Sequence, residues 1–193
     1  MSLGGAAFSM PLTLGLGTWR GHYAIGPYRP RLDSVAERAR YAFPTHRVRE
    51  IAMDRMTDEQ ARAFLAKGSR PATFASVRPD GRPHAVPTWY AVEGDDIVFT
   101  TWHTTVKAAN LRLDQRVSVV VQDPEPPYDY VAVEGDAELI DDLEMCRRIS
   151  TLLGAKYMGA DRAEEFGRRN GVTGELVVRV RPTRIHGFRH VAG

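Results

Sequence analysis

Between Thr100 and Leu111 the chain gathers the residue types that hold a phosphate. Thr100, Thr101, Thr104 and Thr105 offer hydroxyls, Lys107 offers a mobile point charge, and the first turn of a short helix offers free N–H groups. Lys107 stands out because the chain prefers arginine. Of 26 Lys plus Arg residues only three are lysines: Lys67, Lys107 and Lys156. An ordinary helix start with threonine caps and a solvated lysine would carry the same residues, so the neighbouring strands must decide. Pro87 is the second signal. It interrupts an otherwise good strand, and proline cannot donate to a ladder, so an edge or a bulge is expected there. An edge beside Trp89 and Tyr90 would suit a flat heteroaromatic ring read by main-chain groups. A plain edge strand guarded by proline has the same sequence.

Other chemistries find little support. His22, His46, His84, His103, His186 and His190 make no metal-ligand spacing with acids or Cys146, so no metal is expected. No nucleophile elbow and no Cys–His pair with local support occurs. Glu134, Asp136 and Glu138 alternate along one strand face, the pattern of a solvated face. Anion and ring recognition without an acid, base or nucleophile fits an enzyme whose cofactor carries the hard chemistry.

The bulk composition agrees. The net charge of +2 does not argue for nucleic acid, and the hydrophobic content of 43% can supply a core. Cys146, the single cysteine, excludes an internal disulfide framework and fits a reducing cytoplasm, the expected location. It lies on an apolar helical stripe, which points to inert packing. No apolar run approaches the ~20 residues of a membrane span, and no basic leader precedes an apolar stretch.

The elements that must position these residues begin near residue 53. Residues 1–52 are rich in Gly, Pro and Arg and read as an arm: disordered, laid over a partner, or non-native if Met53 or Met56 is the true start. Thr57–Gln60 forms a capping box and Gly68 stops the helix it opens. Strands follow over 71–78, 83–93, 97–101, 117–122 and 130–140, with Pro79–Asp80–Gly81 and Glu93–Gly94–Asp95 as turns. The helix of Lys107 and Asn110 lies between the third and fourth. Helical spacing from Asp141 through Cys146, Ile149, Leu153 and Tyr157, a polar helix near Arg162–Arg169, and strands over 174–181 and 184–188 complete the chain. The expected fold is mainly β: six or seven antiparallel strands in a small barrel with helices outside. No dinucleotide-binding glycine motif is visible.

The run Phe74–Trp89, the strand Ile97–Thr101, the stretch Lys107–Ser118, then Tyr128–Ala137 and Val180–Gly187 resemble the pyridoxamine 5′-phosphate oxidase-like split β-barrel superfamily, over about residues 55–188. Within it the chain looks most like the B group of deazaflavin (F420)-dependent reductases. The resemblance implies a homodimer with the cofactor in a groove between protomers. Lys107, Thr100, Thr101 and Thr105 would meet its phosphate, Asn110 would support the turn, and the ring would lie near Val86, Pro87 and Thr88. It also implies hydride transfer from reduced F420 to an unsaturated or conjugated small molecule. FMN is the alternative cofactor, and a non-catalytic carrier the alternative role. Two departures stand out. Thr105 occupies a position where many deazaflavin-binding relatives carry a basic residue, and Phe188–Gly193 lacks the substrate motif of pyridoxamine phosphate oxidases.

Overall fold

The computed structural model describes residues 54–192. The arm expected over residues 1–52 lies outside the described residues. The elements are β1 (Asp54–Arg55), α1 (Asp58–Ala66), β2 (Ala72–Val77), β3 (Pro83–Thr88), β4 (Ala91–Glu93), β5 (Asp96–Trp102), α2 (Val106–Leu111), β6 (Arg116–Gln122), β7 (Tyr130–Ile140), α3 (Leu143–Met158), a 3-10 turn (Ala160–Arg162), α4 (Ala163–Asn170) and β8 (Glu175–Arg189).

Local chemistry accounts for many of these boundaries. The Thr57 hydroxyl accepts from Gln60 N–H while the Gln60 side chain accepts from Thr57 N–H, which closes the capping box of α1. The Asp142 carboxylate accepts from Met145 N–H at 2.9 Å and starts α3. Between β2 and β3, Gly81 takes a φ of +82° and donates to the Arg78 carbonyl at 2.8 Å.

The strands form one antiparallel sheet in the order β3-β2-β6-β7-β8-β5-β4, with β1 paired to β8. The two ends of this order, β3 and β4, are consecutive in the chain and joined only through Trp89–Tyr90. The sheet therefore rolls up until β2 and β5 face one another across the interior. Phe74 and Phe99 meet there edge to face at 5.0 Å. Val119, Val121, Val131, Val133 and Ile97 fill the rest of the core. This is the expected mainly-β split barrel with flanking helices.

Three details differ from expectation. The strand expected over 83–93 breaks at Trp89–Tyr90 because neither residue can stay in a flat alternating ladder. Trp89 stacks on Tyr157 of α3 at 4.8 Å, and Tyr90 is fully buried with its hydroxyl donating to the Leu65 carbonyl at 2.7 Å. The two closing strands are a single strand, β8. It passes Pro182 through a bulge against Glu134/Gly135, where Thr183 is the unpaired residue and its hydroxyl donates to the Glu134 carbonyl at 3.2 Å. Gly135 permits that approach, since a Cβ there would lie 2.5 Å from the Arg181 carbonyl oxygen. The sheet thus has eight strands rather than six or seven: the 83–93 strand divides, the last two fuse, and Asp54–Arg55 adds a short pairing to β8.

Candidate functional site

The end of β5 and the start of α2 are tied together by threonine hydroxyls. Thr105 is the N-cap of α2. Its Oγ1 donates to the Trp102 carbonyl at 2.9 Å and accepts from Ala108 N–H at 3.4 Å. Thr101 Oγ1 lies 2.9 Å from Thr105 Oγ1. Thr105 has one proton and gives it to Trp102, so Thr101 is the donor of that pair. Asn110, 1% exposed, donates from Nδ2 to Ser76 Oγ at 2.9 Å and fastens α2 to β2. Five of the sequence-predicted residues therefore come together: Thr100, Thr101, Thr105, Lys107 and Asn110. They divide by exposure. Thr101 and Asn110 are buried, while Thr100, Thr105 and Lys107 are half-buried.

Val86, Pro87 and Thr88 form a second group. β3 pairs only with β2, so Pro87 does sit on an edge strand, exposed and in register with Thr73. The two groups are linked through β2, which α2 contacts by way of Asn110 and to which β3 pairs.

Sequence reasoning missed Glu175. It opens β8 in register with Trp102 and is therefore a diagonal neighbour of Thr100 on the same face of the sheet. From that position the Thr100 hydroxyl favours the charged form of its carboxylate. Burial raises the Glu175 carboxyl above its ordinary value, against the opposing pull of Thr100 and Lys107. Burial likewise lowers the Lys107 ammonium, and the Glu175 carboxylate pulls it back up. The two charges feel one another without closing a contact ion pair. Gly174 makes the placement possible: at φ +98° it passes beneath Trp102, where a Cβ would lie 2.8 Å from Cη2, and its carbonyl accepts from His103 N–H at 2.9 Å. The available sequence signal was a lone acid after glycine at the head of the apolar run Leu176–Val177–Val178. Nothing in that run points to Lys107.

The remaining candidates are structural. Cys146 is buried, its Sγ donates to the Glu175 carbonyl at 3.1 Å, and burial pushes its thiol up to about 11. Glu134 and Glu138 pair with Arg184 and Arg181 on the exposed face of β7. Among the described residues no group of three or more His, Cys, Asp or Glu is placed to hold a metal, and no helix is long and apolar enough to cross a membrane. A separate groove of about 540 Å³ opens beside Ser76, Pro83, Arg116, Glu134 and Asp136. It contains none of the predicted site residues, and its Arg116 is already bonded to Asp114 at 2.6 and 2.9 Å. The groove offers space, whereas Lys107 lies outside it as a half-buried cation in no contact ion pair.

Comparison with known proteins supplies the context. Residues 57–188 match the family model described as pyridoxamine 5′-phosphate oxidase. A conserved hypothetical protein of Mycobacterium tuberculosis is 29% identical, with 71% of this chain and 88% of that chain covered and a TM-score of 0.62. A protein described as an F420 reductase is 27% identical, over 63% of this chain and 93% of its own, at TM-score 0.51. A FAD-binding protein of Mesorhizobium loti, 17% identical over 72% of this chain and 98% of its own, shares the fold at TM-score 0.55. No curated protein matches.

Proposed function

Because the chain belongs to the pyridoxamine 5′-phosphate oxidase family through residues 57–188, we propose that it is an F420-dependent oxidoreductase reducing an unsaturated or conjugated organic acceptor. The observation that carries this reading is Lys107, a half-buried cation in no contact ion pair, at the start of α2 just beyond the Thr101–Thr105 hydroxyl pair. The 27% identity to an F420 reductase supports the choice of cofactor. Lys107 and the Thr100 hydroxyl hold the phosphate. Thr101, Thr105 and Asn110 spend their own polar groups on fixing that corner, so their part is to position. The ring lies along the Val86–Thr88 edge, where Pro87 keeps a neighbouring strand from pairing.

A bound deazaflavin would supply the hydride; the chain binds, orients and excludes water. Two copies pair around the cofactor, which also covers the open edges of β3 and β4. Absorption titration with F420 and with FMN tests the cofactor, with saturable binding of F420 expected. FMN binding alone would move the protein to the flavin-dependent reading. Turnover of an acceptor panel by the F420-loaded protein separates enzyme from carrier. Light scattering tests the dimer, and a stable monomer at micromolar concentration would exclude a shared groove.

A further inference from the structure

We infer that the groove between the end of α1 and the loop 123–129 is a second binding site, which takes a small organic molecule by its carboxylate. None of the residues assigned to the cofactor lines this groove, so the inference is independent of the F420 reading.

The groove has a volume of about 500 Å³, and Lys67, Arg70 and Arg189 share its lining with Asp123 and Asp129. Arg70 is held in place by the protein. Its guanidinium lies 3.7 Å over the Phe64 ring, Nη1 donates to Asp123 at 2.6 Å, and Nη2 donates to the Phe64 and Lys67 carbonyls at 2.6 and 3.0 Å. Its Nε–H is buried and meets no acceptor among the described residues. A guanidinium cannot give up its proton, so a buried N–H of this kind calls for an acceptor. The charges point the same way. Three cations line the groove against two carboxylates, which leaves one positive charge. Both carboxylates are already engaged, Asp123 by Arg70 and Asp129 by the His190 main-chain N–H at 3.0 Å. Lys67 and Arg189 form no ion pair among the described residues. A ligand carboxylate would supply the acceptor and cancel the remaining charge, in a recess where solvent screens less than on an open face. A dianion would exceed the count beside two acids in the same walls. Phe64, also in the lining, gives the body of the ligand an apolar surface.

Benzoate is the probe, benzamide its neutral counterpart of the same shape, and sodium chloride matches the ionic strength. Titrated into the full-length protein at about pH 7, benzoate at about ten times its Kd should raise the Tm by about 3–5 °C, and benzamide should not. Arg189→Gln and Lys67→Gln remove side chains that make no hydrogen bond among the described residues, and each should weaken benzoate about tenfold. Lys107→Ala should leave its affinity unchanged. Nitrogen-15 NMR reads the remaining donor: the Arg70 Nε–H signal, assigned by through-bond experiments, should shift with benzoate and stay in place with benzamide. No saturable response to benzoate, or an equal response to benzamide, would overturn the inference. So would benzoate binding undiminished in both Gln variants, or lost in Lys107→Ala, since either would put the anion elsewhere. Inorganic phosphate binding as tightly as benzoate would overturn the preference for a carboxylate.

Discussion

Two of the three lysines, Lys107 and Lys156, are half-buried with lowered pKa values, yet their surroundings are opposite. Lys107, at the opening of α2, has the Glu175 carboxylate holding its charge against burial. Lys156, near the end of α3, lies 4.0 Å over the Tyr90 ring and is brought to about 8 by burial and by the Arg70 guanidinium. Around Lys156 the Tyr157 hydroxyl and the Arg70 guanidinium are engaged with protein partners. The Tyr157 hydroxyl accepts from Tyr90 N–H at 3.2 Å and donates to the Arg70 carbonyl at 3.0 Å, while Arg70 pairs with Asp123 at 2.6 Å. Burial weakens both cations. A carboxylate neighbour preserves the charge of one for use, and a cationic neighbour erodes the other, whose role is then to pack.

The strongest way to break this comparison is at the bend. Tyr90→Ala removes a fully buried ring and its bond to Leu65, and should cost about 3–5 kcal/mol of stability in denaturant unfolding. A loss below about 1 kcal/mol would mean that the bend does not depend on its aromatic cluster. Lys107→Ala should do the reverse. Cofactor affinity is expected to fall by about 1.5–3 kcal/mol, the range for charge-assisted hydrogen bonds, with little change in unfolding. An affinity equal to wild type would remove Lys107 from the site.

The effect at Lys156 is smaller and depends on pH. Its folded pKa of about 8 lies below the ordinary 10.5. Below pH 8 the ammonium is charged in both states, and its burial penalty is present in full. Between pH 8 and 10.5 the folded state loses its proton first, so the penalty fades as pH rises. Against Lys156→Met, wild-type stability should gain about 1 kcal/mol from pH 8 to pH 10, after allowance for solvent screening. A flat difference would show that the cation–π contact with Tyr90 has cancelled the burial cost. A similarly small effect is expected from Tyr90→Phe, which deletes only the hydroxyl bond to Leu65 and should cost about 1 kcal/mol, less than the whole ring. A cost equal to that of the alanine variant would mean that the bond, not the ring, holds the bend.

Much of the fold could be read residue by residue. The Thr57–Gln60 box, the Asp80–Gly81 turn, the period-two strands and the spacing of Cys146, Ile149 and Leu153 all depend on neighbours a few positions away. The corner holding Lys107 was legible for the same reason, because Thr101, Thr105 and Asn110 lie within six residues of it. The division of the 83–93 strand was not legible, since alternation is satisfied along its whole length. What breaks it is Tyr157 and Leu65, brought in from α3 and α1.

By itself the sequence determined the period of each segment, the caps and turns that end it, and the clustering of hydroxyls with one lysine. These are properties of short stretches of chain with defined side-chain spacing. Only the tertiary structure decided that Asp54–Arg55 would pair with β8, that Thr183 would be the unpaired residue of a bulge, and that Glu175 would stand diagonal to Thr100. Each depends on the register between strands distant in sequence. Register is fixed by how the whole sheet buries its apolar face, and a shift of one residue would have turned Glu175 to the opposite side.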